Sequence, residues 1–68
     1  MAREFRELVY FEIARASIIE TQNHLIDGRD SGYLSDNLYF RLMNLARAAL
    51  NATTNYMKAK QRDAKHRA

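Results

Sequence analysis

The apolar residues of this chain follow two long helical patterns that are separated by a short polar break. From residue 2 to residue 30, apolar side chains recur every three or four positions, which is the spacing of an amphipathic helix. The same spacing returns from residue 36 to about residue 60. No proline interrupts either segment, and both glycines lie close to the break, at positions 28 and 32. The pattern predicts an all-α protein, an antiparallel two-helix hairpin with helices at about 2–30 and 36–60.

The break contains a helix stop followed by a helix start. Gly32 suits the left-handed conformation that often follows the end of a helix. Ser35 suits the N-cap of the next helix, because its hydroxyl can accept a hydrogen bond from an unpaired backbone N–H. Leu34 before this cap and Tyr39 four residues after it are spaced as a hydrophobic staple. These residues predict a tight turn between neighbouring helices.

Each predicted helix carries two adjacent apolar stripes. In the second helix, one stripe runs from Leu38 to Ala59 and the other runs from Tyr39 to Met57. In the first helix, one stripe runs from Leu8 to Gly28 and the other runs from Phe5 to Ile26. The stripes contain the candidate core residues Phe11, Ile18, Leu25, Leu38, Leu42, Leu45, Leu50, Tyr56 and Met57.

A helix with one apolar stripe needs one neighbour, whereas a helix with two stripes needs two, as in a four-helix bundle. One hairpin supplies a single neighbour for each helix. A chain of 68 residues without cysteine also has little core of its own and no disulfide to support it. We therefore expect the hairpin to associate with further copies, most simply as a homodimer that completes a four-helix bundle.

The net charge of +3 is concentrated at the C-terminal end of the chain. Residues 58–68 hold five basic residues and one acidic residue, a net of +4. One interpretation is that residues 61–68 form a frayed tail, and that the cations of residues 58–68 favour the helix macrodipole and solubility. The other interpretation is that these cations bind the phosphates of RNA or DNA. The candidate nucleic-acid contacts are then Lys58, Lys60, Arg62, Lys65 and Arg67.

The residue types that usually carry catalysis or bind metal are not arranged as a site. Glu20 and His24 share a helix face, but di-iron bundles require the spacing Glu-x-x-His, which places the histidine one residue earlier. Ser17 lies about 10 Å from His24 along the helix axis, too far for a nucleophile and its base. We predict no catalytic residue, no metal, no cofactor and no small-molecule substrate, and hence no enzyme. No apolar run is long enough to cross a bilayer, so a cytoplasmic protein without a membrane partner is expected.

The turn and its flanking residues resemble those of a known family. Ile13-Ala14, Ser17, Glu20 and Leu25, followed by Gly32-Tyr33-Leu34-Ser35 and Tyr39, are similar to the second half of the 23S rRNA-intervening-sequence proteins of bacteria. The resemblance covers about residues 10–42. It implies a four-helix-bundle fold, a scaffold or interaction role, and a structural place for Ser17 and Glu20 at a helix seam. Related bundles, the accessory proteins of diversity-generating retroelements, form pentamers and engage nucleic acid and a reverse transcriptase.

The first two helices of that family, with their signature motif, have no counterpart here. Two explanations stay open: the chain is a shortened member whose hairpins dimerise to rebuild four helices, or it is a fragment of a longer four-helix protein. The predicted function is that of a non-enzymatic scaffold that self-associates through its apolar stripes. The alternative is a nucleic-acid-binding accessory protein that uses the basic tail.

Overall fold

The chain folds as a hairpin of two antiparallel helices, α1 (Arg3–Asp30) and α2 (Asp36–Arg67), in a computed structural model of the protein. The structure describes the backbone of residues 3–67 and the side chains of residues 3–63 and 65. The predicted all-α hairpin is confirmed, and the helices pack against each other along the length of the rod. The molecule measures 52 × 20 × 10 Å, so it is one helix thick.

The turn is built by a glycine stop and a serine start. Gly32 has a φ of 80°, the left-handed conformation that its missing Cβ makes accessible. The Tyr33 N–H donates to the Gly28 carbonyl over 2.9 Å, and the Gly32 N–H donates to the Arg29 carbonyl over 3.1 Å. These two bonds form a Schellman motif, which satisfies carbonyls at the end of α1. The Leu38 N–H then donates to Ser35 Oγ over 3.2 Å, so Ser35 is the N-cap of α2.

A cluster around Arg29 holds the turn end of the hairpin together. Its guanidinium lies 4.7 Å from the centroid of the Tyr39 ring and 5.5 Å from that of Phe40. Its Nε is also 3.3 Å from a carboxylate oxygen of Asp36. Cation–π contacts of this kind contribute about 0.5–1 kcal/mol at exposed sites. The cluster joins the last turn of α1 to the first turn of α2.

The second helix continues past the predicted end at Lys60. It remains helical to Arg67, so the segment expected to be a frayed tail is an extension of α2. Residues 61–67 contain neither glycine nor proline and include good helix formers such as Gln, Arg, Ala and Lys. Ala68 and the predicted helical residue Ala2 lie outside the described residues.

The contact between the helices is a single narrow seam. Met43 and Met57 of α2 are buried, with exposed fractions of 9% and 7%. They are the only buried side chains among those that the structure describes. The half-buried side chains of α1 along this seam include Phe11, Ile18 and Leu25. Two buried methionines are a small core for a folded chain of this length.

The surface of the hairpin is large for its mass. Its accessible area is 5600 Å², whereas a compact monomer of 8.0 kDa exposes about 4,500 Å². Its radius of gyration is 15.7 Å, compared with about 11 Å for a compact chain of 68 residues. The excess area of about 1,100 Å² is more than the roughly 800 Å² that each partner contributes to a standard protein interface.

Candidate interaction surface

One broad side of the hairpin carries a mainly apolar groove between the helices, made of two hollows that follow each other along the rod. Its part nearest the turn has a volume of about 380 Å³, and its part nearest the open end has a volume of about 270 Å³. We call this side the groove face. It is lined by Ser17, Ile18, Thr21, Leu25, Leu42, Leu45, Ala46 and Ala49 near the turn, and by Glu7, Tyr10, Phe11, Ala14, Thr53 and Tyr56 beyond them.

The large apolar side chains of α2 project into solvent on the groove face. Leu45 is 67% exposed, Tyr56 is 58% exposed and Leu38 is 41% exposed. All three belong to the stripe that begins at Leu38, which is rotated by about 100° from the stripe that covers α1. The sequence assigned these residues to the core, but within one hairpin they are uncovered. Leu42, Leu50, Phe11, Ile18 and Leu25 are half-buried and Met57 is buried.

The two threonine hydroxyls on the groove face already form hydrogen bonds within their own helices. Thr21 Oγ1 donates to the Ser17 carbonyl over 2.9 Å. Thr53 Oγ1 donates to the Ala49 carbonyl over 2.8 Å. A hydroxyl that bonds the carbonyl four residues earlier can be covered by another apolar surface without losing its partner. The two threonines therefore do not oppose burial of this face.

The opposite side of the hairpin, which we call the back face, carries Ile19 and Ile26 of the second α1 stripe together with Leu8, the first residue of the other stripe. Leu8, Ile19 and Ile26 are between 37% and 41% exposed there. Leu8 borders a separate hollow of about 210 Å³ with Met57 and Gln61. At about 100° per residue, these α1 positions lie on the side of the inner seam away from Ser17 and Thr21.

The two uncovered stripes therefore cannot both be buried by one partner placed on one side. The stripe of α2 faces the groove side, while the stripe of α1 faces the back. The sequence reveals two stripes on each helix, but only the rotation of each helix in the hairpin shows that they point in opposite directions.

Two positions of the inner seam differ from the predicted stripe that begins at Leu8. That stripe includes Leu8 and Thr21, but both are exposed, and the neighbouring Glu7 and Gln22 are half-buried in their places. Lys60 Nζ of α2 lies 3.8 Å from Glu7 Oε1, and it also lies 5.5 Å from the centroid of the Tyr56 ring. The ion pair with Lys60 stabilises the carboxylate of Glu7 at a position where the apolar spacing alone favoured leucine.

The candidate nucleic-acid contacts divide into two groups. Lys60 is half-buried and engaged with Glu7 and Tyr56. Lys58, Arg62 and Lys65 are exposed, and their spacing of four and then three residues puts them on one stripe of α2. This alignment exists because α2 stays helical beyond residue 60. The side chain of Arg67 lies outside those that the structure describes.

The remaining candidates for chemistry are surface groups. His24 Nε2 lies 3.6 Å from Glu20 Oε1, and both side chains are about three-quarters exposed, at 73% and 75%. Among the described residues, no three side chains of the types that bind metal come together. Within residues 3–67, neither helix has a segment long and apolar enough to cross a bilayer.

Sequence reasoning missed two features of the surface. Met43 lies in one of the predicted stripes of α2 but not among the predicted core residues, and it is one of the two buried side chains. Its spacing of seven residues from Leu50 and of fourteen from Met57 is the signal that could have identified it. The contacts of Arg29 with Tyr39 and Phe40 join residues on both sides of the turn, so no helical periodicity reports them.

Comparison with known proteins finds no relative of this chain. No family model matches the chain, and no curated protein or solved structure resembles it at a significant level.

Proposed function

We propose that the protein is a non-enzymatic scaffold that self-associates through its groove face, forming a bundle of four helices from two hairpins. The observation that carries this proposal is the exposure of the α2 stripe. Leu38, Leu45 and Tyr56 follow the spacing of a helix–helix seam, yet each is more than 40% exposed in the single chain. A patch of this kind marks an interaction site in a soluble protein.

The area of the hairpin supports the same proposal. Its excess surface of about 1,100 Å² is enough for a standard interface, and its two buried side chains are a weak core for a monomer. Full burial of each large apolar side chain contributes about 1.5–3 kcal/mol. Covering Leu38, Leu45 and Tyr56 in both copies therefore brings a gain comparable to the stability of a small domain.

The resemblance to the rRNA-intervening-sequence proteins supports the scaffold role in this proposal. Gly32 to Ser35, the most recognisable element of that resemblance, forms the stop and the cap of the turn. Those residues serve the hairpin itself, so what the resemblance contributes is an architecture of bundled helices in the cytoplasm.

Measurement of the mass in solution across a range of concentrations tests the proposal. A mass of twice 8.0 kDa or a higher multiple is expected at micromolar concentration. The double variant Leu42→Glu/Leu45→Glu should leave unfolded monomer, because charge then replaces the centre of the stripe. The matched control is Ile19→Glu on the back face, which should remain folded and associated. A wild-type chain that melts cooperatively as a compact monomer would contradict the proposal.

A second candidate function rests on the basic stripe of α2. Lys58, Arg62 and Lys65 are exposed on one side of a continuous helix, which is a geometry that can follow a phosphate backbone. Under this alternative, the protein is an accessory factor that binds RNA or DNA without sequence preference. The stripe lies away from the groove face, so self-association leaves it accessible.

Charge reversal at Arg62→Glu/Lys65→Glu separates this candidate from pure assembly. We expect binding of a single-stranded RNA to fall and its salt dependence to become shallower, while the mass in solution stays unchanged. The matched control is Arg47→Glu, which removes a cation from the same side of α2 but about three turns outside the cluster. RNA binding that is equally weak in the wild type and in the double variant would remove this candidate.

A further inference from the structure

The stripe of α2 on the groove face has the periodicity of a coiled-coil seam. From Leu38 to Ala59, its positions alternate in steps of four and three residues without interruption. On α1, the same face carries Tyr10, Ser17 and Thr21, which are polar or amphipathic. An apolar seam is covered most favourably by another apolar seam, and on this face only α2 provides one.

The middle of the groove face is made of small residues on both helices. Ser17 of α1 and Ala49 of α2 line the same part of the groove. Ala52 continues the small stretch of the α2 seam by one turn. Small residues in one part of the groove allow helices of two hairpins to approach closely there.

The two ends of the rod carry opposite charge. Around the turn, residues 27–36 contain three acidic residues and one basic residue, a net of −2. At the open end, residues 3–7 and 58–65 contain six basic and three acidic residues, a net of +3. Two rods placed side by side in the same direction bring like charges together, whereas rods in opposite directions pair each turn with an open end.

We infer that a second copy docks on the groove face in the antiparallel direction, with α2 against α2 and a two-fold axis near Ala49. This inference rests on the self-association proposed above. In an antiparallel seam, Ala49 meets its own counterpart and Leu42 lies opposite Tyr56. Leu45 is the most exposed leucine, and the seam position nearest to it on the second copy is Ala52. The seam position nearest to Leu38 is Ala59, and both pairs lie within one residue, about 1.5 Å, of exact two-fold register. Leucine therefore fills the space left by alanine in two of the layers.

This arrangement also determines where the rest of the molecule lies. The two turns are at opposite ends of the dimer, and so are the two basic segments. The back faces, with Leu8, Ile19 and Ile26, point outward on both sides. Like charges are thus separated by nearly the length of the rod, which is 52 Å.

The distance between the two turns tests the inference directly. The chain has no cysteine, so Tyr33→Cys provides a single site for a spin label, at a residue that is 88% exposed and outside the groove. Residue 33 is sixteen positions from the inferred axis, so the antiparallel dimer separates the labels by about 48 Å at 1.5 Å per residue. A parallel dimer, with helix axes about 10 Å apart, brings the labels within about 25 Å.

Each outcome of the distance measurement has one meaning. A distance of about 45–50 Å in a sample of dimeric mass supports the antiparallel dimer. A distance below about 25 Å in a dimeric sample overturns it, while the self-association proposed above stands. A monomeric mass with no intermolecular distance overturns both the inference and the proposed function.

A knob-and-hole exchange tests the register of the seam. Leu45→Ala should weaken dimerisation by at least about tenfold, since both copies lose a buried leucine. Adding Ala52→Leu should restore most of the affinity, because the two residues face each other and only exchange places. The control Leu45→Ala/Ala48→Leu has the same composition but puts leucine away from the seam, and should not recover. Equal recovery in both double variants, or recovery in neither, would overturn the register.

Discussion

The groove face and the back face of the hairpin both expose large apolar side chains, but only the groove face is organised as a seam. On the groove face, the apolar positions of α2 continue from Leu38 to Ala59 without a charged residue. On the back face, the stripe from Phe5 to Ile26 is interrupted by Glu12 and Asn23. Two exposed leucines on the groove face and three exposed leucines or isoleucines on the back face can therefore have different consequences. Continuity along the helix, more than exposed area, distinguishes the surface that we propose to self-associate.

The faces also differ in their polar groups. The hydroxyls of Thr21 and Thr53 on the groove face are bonded to carbonyls of their own helices. The back face is bordered along α2 by exposed Arg47, Lys58 and Arg62. Charged side chains around an apolar stripe keep a surface soluble, whereas internally bonded hydroxyls permit its burial.

The largest expected effect comes from placing the same charge on each face. Leu45→Glu should raise the dissociation constant of the dimer by more than about 100-fold, because an unpaired buried carboxylate costs roughly 3–5 kcal/mol. Ile19→Glu should change it by less than about threefold, since that side chain stays in solvent. Sedimentation equilibrium measures both. Equal losses in the two variants would show that the two faces do not differ in this way.

The next effect concerns the turn, which joins the two helices that carry these faces. Gly32→Ala should lower the free energy of unfolding by about 1–2 kcal/mol, because a Cβ at a φ of 80° is strained. Gly32→Asn should cost less, since asparagine tolerates this conformation better. Chemical denaturation of both variants at one protein concentration gives the comparison. A neutral Gly32→Ala would mean that the turn adopts another conformation in solution.

A smaller effect is expected at the start of α2. Ser35→Ala removes the acceptor of the Leu38 N–H and should cost about 1 kcal/mol of stability. Ser31→Ala in the same turn is the control, because the helix cap does not use its side chain. The two variants are compared by thermal unfolding monitored by circular dichroism. If both melt at the same temperature, the cap is not formed by Ser35.

The smallest expected effect tests whether the Thr53 hydroxyl bonds only its own helix or also bonds the second copy. Thr53→Val on the groove face should change the stability of the dimer by less than about 0.5 kcal/mol, because the lost hydroxyl bonded only its own helix. Thr54→Val, one residue further round α2, serves as the comparison. Denaturation at several protein concentrations reports the result. A loss above about 1 kcal/mol at Thr53 alone would show that its hydroxyl reaches the second copy.

Much of the fold follows from local sequence alone. The two helices, the left-handed Gly32 and the cap at Ser35 depend on residues within one or two turns of each other, so propensity and capping rules identify them. The end of α2 could not be predicted from local sequence, because a run of good helix formers without a stop signal can either fray or continue as helix. The placement of Glu7 in the seam was also not predictable from spacing, since it depends on Lys60 across the hairpin.

By itself, then, the sequence determined two helices, their turn and the presence of two apolar stripes on each helix, because these are properties of short stretches of chain. Only the tertiary structure decided which stripe of each helix is covered. Packing through Met43 and Met57 turns the stripe of Leu38, Leu45 and Tyr56 to one side and leaves that of Ile19 on the other. The rotation of one helix against another depends on contacts between distant residues, and a periodic pattern along one chain cannot specify it.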